Sequence, residues 1–222
     1  MKVFLLILAC MPAVPQMSLP AAKDRTASQI AAEVDHHYNS LRTLITDFVQ
    51  TQRGNGADRT ESGKLMLSKP GRMRWEYQQP REKLFLTDGK LAWLYIPADR
   101  QVRRTPTKNL DDLRSPLRFL LGHSELAKEL QQLKLATIAS LLDKDNIVLS
   151  GAPKHDLGTD ISLILIEITP DRAIRRIIME QPDGGSTEFR FTNTKENVTL
   201  DSAVFHFTPP KGVEVVEGNV LD

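Results

Sequence analysis

Short segments in which apolar and polar residues alternate recur along most of this chain, and turn residues separate them. In the stretch RMRWEYQQ, Met73, Trp75 and Tyr77 occupy every second position, with charged residues between them. Successive side chains of a strand point to opposite faces, so this segment predicts a strand with one apolar face and one charged face. Similar candidates cover residues 62–68, 84–87, 91–96, 101–105, 146–150, 161–168, 173–181 and 186–193. Asp88-Gly89 and the turn at 182–185 favour hairpins, which predicts consecutive antiparallel strands.

Two other segments have helical spacing. An amphipathic helix is predicted near the beginning by Ile30, Ala31, Val34 and Tyr38. Residues 115–133 predict one or two short helices, and residues 205–210 predict a brief final strand. This order implies a mainly β fold of the α+β class, in which a curved antiparallel sheet carries helices on one side. No repeat or composition break divides the chain, so a single domain over residues 23–222 is expected.

The first 22 residues have the layout of a secretory signal. A lysine precedes a short apolar run, and small residues interrupted by proline follow it. The single cysteine, Cys10, lies inside this segment, so the mature chain is expected to have no disulfide and no cysteine-bound metal. Cys10 follows Ile-Leu-Ala, which loosely resembles a lipoprotein cleavage site. A membrane-tethered, acylated form therefore stays open beside a cleaved and exported one.

The chemistry of known catalytic and metal sites is not apparent in the sequence. The net charge of +1 argues against nucleic acid as a bulk partner. The five histidines lack metal-ligand spacing, and neither a nucleophile elbow nor a phosphate loop occurs. We therefore expect no metal, no cofactor and no enzyme activity. Two interpretations, a docking patch for an acidic partner or a solvated strand face, stay open for the arginines at 72, 74, 81, 100, 103 and 104.

Residues 62–102 resemble the signature region of the LolA family of periplasmic lipoprotein carriers. The matching features are a Gly-x-Leu strand, a basic residue before proline (Lys69-Pro70), an Arg-Trp-x-Tyr strand, and Asp-Gly-Lys leading to Trp-x-Tyr-x-Pro. The resemblance continues through Pro116–Leu121 and the terminal FHFTPPKGVEV. It therefore spans most of the chain after the signal.

This resemblance implies an incomplete, strongly curved antiparallel β-barrel covered by a helical lid. Such a protein takes lipid-modified proteins from an inner-membrane ABC transporter complex to an outer-membrane acceptor such as LolB, and a monomer is expected. The cavity for acyl chains would be lined by Met66, Met73, Trp75, Trp93 and Tyr95. Alternation adds Tyr77, Phe189 and Phe191 to this wall. The lid would contain Ile30, Val34, Leu117, Leu120 and Leu121.

One position departs from the family pattern. Members carry an arginine before the proline, where it bonds to lid backbone, and this chain has Lys69. The resemblance makes Lys69 the lid latch, although a lysine lacks the planar fork of five donors. A membrane-tethered acceptor or an envelope-stress sensor of similar shape is the alternative function. Periodicity alone cannot distinguish a cavity wall from an ordinary core.

Overall fold

A computed structural model describes residues 25–54, 56, 58–107, 125–154, 161–218 and 220. Its helices are α1 (Ala27–Ser40) and the short α2 (Leu126–Glu129), and two 3-10 turns cover Pro97–Asp99 and Ser202–Phe205. The strands in these ranges are β1 (Thr43–Arg53), β2 (Arg59–Ser68), β3 (Arg72–Gln79), β4 (Lys83–Asp88), β5 (Leu91–Ile96), β6 (Gln101–Pro106), β7 (Leu130–Ala136), β8 (Ile147–Pro153), β9 (Leu163–Ile168), β10 (Ile174–Glu180), β11 (Ser186–Glu196) and β12 (Glu214–Glu217).

The strands form one open, curled sheet of two meanders joined by β1. Across the sheet the order is β12-β6-β5-β4-β3-β2-β1-β11-β10-β9-β8-β7. Strand β1 pairs antiparallel with β2 at one edge and with β11 at the other. Only the pairing of β12 with β6 is parallel among the described strands. The predicted fold class, mainly β with a curved antiparallel sheet and helices, is confirmed.

Two local predictions from the sequence are wrong. The predicted helical segment is a helix only at Leu126–Glu129 within its described part, and the chain then continues as strand β7. Pairing with β8 overrides the helix propensity of Leu130–Ala136. The predicted last strand is instead a 3-10 turn that ends at Phe205, followed by irregular chain. The Asp201 side chain accepts from the Ala203 amide and caps this turn.

Helix α1 begins at a capping box and packs on one face of the sheet, which we call the inner face. The Gln29 amide donates to the Thr26 hydroxyl at 3.2 Å, and the Thr26 amide donates to the Gln29 side chain at 2.8 Å. Its apolar stripe lies in the main buried cluster with sheet residues, and it contains Ile30, Ala31, Val34 and Tyr38. The predicted first helix is therefore correct, and its apolar side covers the inner face.

Side chains of α1 and of the sheet are buried against one another. Tyr38 and Ile30 of α1 are fully buried, as are Phe48, Leu65 and Phe191 of the sheet. Close packing of this kind holds α1 against the sheet through dispersion and the hydrophobic effect.

Several predicted features lie outside the described residues. They are the signal over residues 1–22 with Cys10, and the lid residues Leu117, Leu120 and Leu121. In the described ranges, no helix has the length and apolar character to cross a bilayer.

Candidate functional site

The inner face carries a group of aromatic rings that we call the aromatic cluster: Phe48, Trp75, Tyr77, Phe189 and Phe191. The Trp75 ring centroid lies 5.0 Å from that of Phe48 in an edge-to-face contact and 5.6 Å from that of Tyr77 in a stacked contact. Phe189 is 5.7 Å from Trp75 and stacks on Phe191 at 6.5 Å. Ring pairs at these separations attract beyond their area burial, so the five rings form one continuous apolar cluster.

The register between neighbouring strands explains why these rings lie close together. Trp75 lies opposite Leu65 of β2 and Phe85 of β4, so the three side chains share a face. Phe48 lies opposite Phe191 across the β1–β11 seam. The structure therefore brings five predicted wall residues to the inner face: Met73, Trp75, Tyr77, Phe189 and Phe191. Their role in binding remains a prediction.

The sequence interpretation missed three inner-face residues, Phe48, Phe85 and Leu94. Phe85 pairs with Leu94 and with Trp75, and all three lie in or against the main buried cluster. A signal for Phe48 was present, because β1 has partial alternation of apolar residues.

Trp93 and Tyr95 lie on the other side of the sheet, the outer face, so their predicted place in the cavity wall is wrong. Trp93 pairs with Leu86 and Tyr95 with Leu84, and these residues form or contact a second, separate buried cluster. The ring of Phe207 covers both, with centroids 5.7 Å from Trp93 and 5.6 Å from Tyr95. The predicted alternation within β5 is correct. Its pairing with β4, however, places Ala92 and Leu94 on the inner face.

Met66 is also misplaced in the predicted wall. It pairs with Arg74, whereas its neighbours Leu65 and Leu67 pair with Trp75 and Met73. Adjacent residues of a strand face opposite ways, so Met66 lies on the outer face.

The arginines of β3 and β6 interact with the C-terminal segment. The Arg72 guanidinium lies 5.5 Å from the centroid of the Phe205 ring, and Arg74 donates to the Val204 carbonyl at 3.1 Å. Arg104 forms an ion pair with Glu217 of β12. These three side chains therefore fasten the C-terminal segment over the outer face.

Polar side chains border the aromatic cluster at one end of the inner face. The Tyr77 hydroxyl donates to the Gln50 side-chain oxygen at 2.9 Å. Glu61 is buried and accepts from Lys83 and from Arg59, each at 2.8 Å. The Lys83 ammonium also lies 3.9 Å from the centroid of the Tyr77 ring. Burial raises the pKa of the Tyr77 hydroxyl, which therefore stays neutral and acts as a donor.

Lys69 contacts the C-terminal end of α1. Its ammonium donates to the Tyr38 backbone carbonyl, which also accepts from the Leu41 amide at 3.3 Å. Burial lowers the pKa of the Lys69 ammonium from its ordinary value. The Tyr38 hydroxyl accepts from the Ile174 amide of β10 at 2.8 Å. The contact between Lys69 and α1 has the geometry that a latch requires, while its role in closing remains a prediction.

A second polar contact joins α1 to α2. The Asp35 carboxylate accepts from the Leu126 amide, with oxygens 2.9 and 3.0 Å from the nitrogen. Burial raises the pKa of the Asp35 carboxyl to about 6, although the hydrogen bond from Leu126 opposes this shift. His37 also contacts Glu196 at 2.9 Å. Helix α1 is therefore fastened at its rim by polar contacts and along its length by apolar ones.

In the described ranges, no group of three or more His, Cys, Asp or Glu residues could hold a metal ion.

Comparison with known proteins gives consistent matches along the chain. The family model described as "Outer membrane lipoprotein carrier protein LolA" matches residues 39–208. The outer-membrane lipoprotein carrier protein of Chromobacterium violaceum is 31% identical over 189 residues, which cover 85% of this chain and 87% of that protein. The protein of the same description from Xanthomonas axonopodis pv. citri is 30% identical over 188 residues, covering 83% and 86%.

A solved structure supports the fold independently. An uncharacterized conserved protein from Thermus thermophilus superposes with a TM-score of 0.58. The match covers 86% of this chain and 99% of that one at 14% sequence identity. At this identity the likeness concerns the fold alone.

Proposed function

Because this chain belongs to the LolA family of outer membrane lipoprotein carrier proteins, we propose that it carries lipid-modified proteins through the periplasm and holds their acyl chains on its inner face. The cargo would come from an inner-membrane ABC transporter complex and pass to an outer-membrane acceptor such as LolB. The carrying unit would be the domain of residues 23–222. No covalent chemistry on the cargo is part of this proposal.

The observation that carries the proposal is the way α1 occupies the inner face. Ile30 and Val34 lie in the same buried cluster as Trp75 and Phe189. Acyl chains and these side chains would compete for the same apolar surface. Loading therefore requires α1 to move away, and release is favoured because α1 returns to the surface that the chains leave.

A competing helix is useful because hydrocarbon burial alone would bind too strongly. Each buried methylene contributes about 0.8 kcal/mol, so three chains of about fifteen methylenes would gain roughly 36 kcal/mol if fully covered. Non-covalent affinity saturates near roughly 20 kcal/mol, and a carrier must bind more weakly still to deliver its cargo. Partial covering of the chains, together with the energy needed to displace α1, brings the affinity into a reversible range.

Two leucines on one strand provide a matched test. Leu94 packs against the main cluster on the inner face, whereas Leu91 packs against the second cluster on the outer face, and both are partly buried. We expect Leu94→Gln to weaken binding of a labelled triacylated lipopeptide at least several-fold, and Leu91→Gln to leave it near that of the wild type. Equal binding by both variants and the wild type would contradict the inner face as the binding surface.

A further inference from the structure

Among the described residues, the indole nitrogen of Trp75 is a buried donor without a hydrogen-bond partner. Trp75 is 4% exposed, and within the part of the chain that the structure describes its Nε1 has no hydrogen-bond acceptor. Leaving a buried N–H unsatisfied carries a desolvation penalty, so most buried polar groups in native proteins find a partner. A wall that served only to contact hydrocarbon could use phenylalanine here without this penalty.

In the described part of the chain, the groups around the indole leave its N–H without an acceptor. Phe48 and Phe189 contact the indole with carbon atoms only, and Tyr77 contacts it through its stacked ring, while the Tyr77 hydroxyl forms its hydrogen bond with Gln50. The Glu61 carboxylate accepts from Lys83 and Arg59 at the polar end of the inner face and forms no hydrogen bond with the indole. The indole N–H is therefore the uncommitted donor of the aromatic cluster, and a ligand that satisfies it must bring an acceptor into an apolar setting.

We propose that the Trp75 N–H donates a hydrogen bond to the carbonyl oxygen of a bound acyl chain, so that the inner face recognises ester- or amide-linked chains and not hydrocarbon alone. This inference rests on the proposed function. Every acyl chain ends in a carbonyl, which is an acceptor without a donor and so complements an indole N–H. A hydrogen bond formed in a site without water has a well-defined orientation, and it fixes how far the chain enters.

Two lipopeptides that differ only in linkage test the inference. One carries two palmitoyl esters, and the other carries two ether-linked hexadecyl chains that lack the carbonyls. We expect the wild type to bind the ester form about threefold to tenfold more tightly, as a single neutral hydrogen bond predicts. Trp75→Phe should lose this preference and bind the ester and ether forms with equal affinity, whatever its overall affinity for lipopeptide.

Trp93→Phe is the matched control, since Trp93 lies on the outer face and its replacement should preserve the preference. That variant also leaves Trp75 as the only tryptophan, because the chain has two. The Raman band of its indole N–H should then shift when the ester form binds and stay unchanged with the ether form. Thermal unfolding of each variant establishes that it is folded.

Each outcome has a distinct meaning. Equal affinity of the wild type for the ester and ether forms, or a preference that survives in Trp75→Phe, would overturn the hydrogen bond and leave the carrier function standing. Failure of the wild type to bind either lipopeptide would remove the proposed function, and this inference with it.

Discussion

Replacing Lys69 with methionine should loosen α1 without unfolding the sheet. Methionine keeps an unbranched apolar side chain of similar length but has no donor for the Tyr38 carbonyl, the contact that joins the end of β2 to the end of α1. The apolar stripe of α1, in contrast, is untouched by the change. The perturbation therefore removes one polar fastening and leaves the hydrophobic ones in place.

The size of the effect follows from two opposing contributions. A hydrogen bond from a charged donor stabilises by about 1.5–3 kcal/mol. Burial lowers the pKa of Lys69, which shows that desolvation of its ammonium offsets part of that gain. We therefore expect a loss of about 1–2 kcal/mol, which corresponds to roughly a fivefold to thirtyfold rise in the population with α1 detached. Each buried apolar side chain of α1 contributes about 1.5–3 kcal/mol, so the closed form still predominates.

Amide hydrogen exchange measures this opening directly. Exchange in α1 should accelerate about tenfold in Lys69→Met, while exchange in the β9–β10 pair should change little. Delivery of cargo should change as well. A closed form that is less stable, with α1 less firmly held on the inner face, competes less strongly with the cargo-loaded form. Loading should therefore persist, and transfer of cargo to acceptor vesicles should slow.

Two further variants make the result interpretable. Lys64→Met removes a lysine of β2 that pairs with Asp47 on the neighbouring strand, so α1 exchange should match that of the wild type. Lys69→Arg retains a donor and should hold α1 at least as firmly. Unchanged α1 exchange in Lys69→Met would refute the latch, and so would equal acceleration in Lys64→Met.

Three other changes test the packing around α1 and the aromatic cluster. The pKa of Asp35 is about 6 in the folded protein against 3.8 ordinarily, so the folded state binds the extra proton between these values. Stability from this group is therefore highest below pH 3.8 and falls as pH rises to 6, and Asp35→Asn should remove that slope from urea unfolding curves. Gly63→Ala would place a Cβ 1.8 Å from the Glu76 carbonyl oxygen, so we expect a loss of roughly 1–3 kcal/mol or more in the same assay. Tyr38→Phe leaves a buried β10 amide unsatisfied and should cost about 1–3 kcal/mol, and an unchanged unfolding midpoint would show that this hydrogen bond is not needed.

Local patterns predicted the strands well because the alternation that marks a strand is contained in the residues of that strand. Alternation placed Met73, Trp75 and Tyr77 on a common face, and the turn at Asp88-Gly89 joined β4 to β5. The helical spacing from Ile30 to Tyr38 likewise predicted the apolar side of α1. These features depend on backbone geometry and on residue order, which the sequence contains.

Which face each pattern occupies depends on partners that are distant in sequence. Trp75 and Trp93 belong to similar Trp-x-Tyr patterns, yet they lie on opposite faces. Phe207, which comes from a distant part of the chain, covers the outer aromatic residues Trp93 and Tyr95. The residue pattern of β5 does not indicate that Phe207 packs over it. For the same reason, the absence of an acceptor for the Trp75 indole among the described residues becomes apparent only once its neighbours are in place.

The position of β1 at the seam between the meanders has a consequence for biosynthesis. Strand β1 is among the first parts of the domain to emerge, and β2 can pair with it soon afterwards. Its other neighbour, β11, begins only at Ser186, so that edge stays uncovered until all the strands between β1 and β11 have been made. Contacts this distant in sequence form slowly, and an exposed strand edge invites aggregation. Nascent chains halted before residue 186 should therefore require a holding chaperone, since half of the seam does not yet exist.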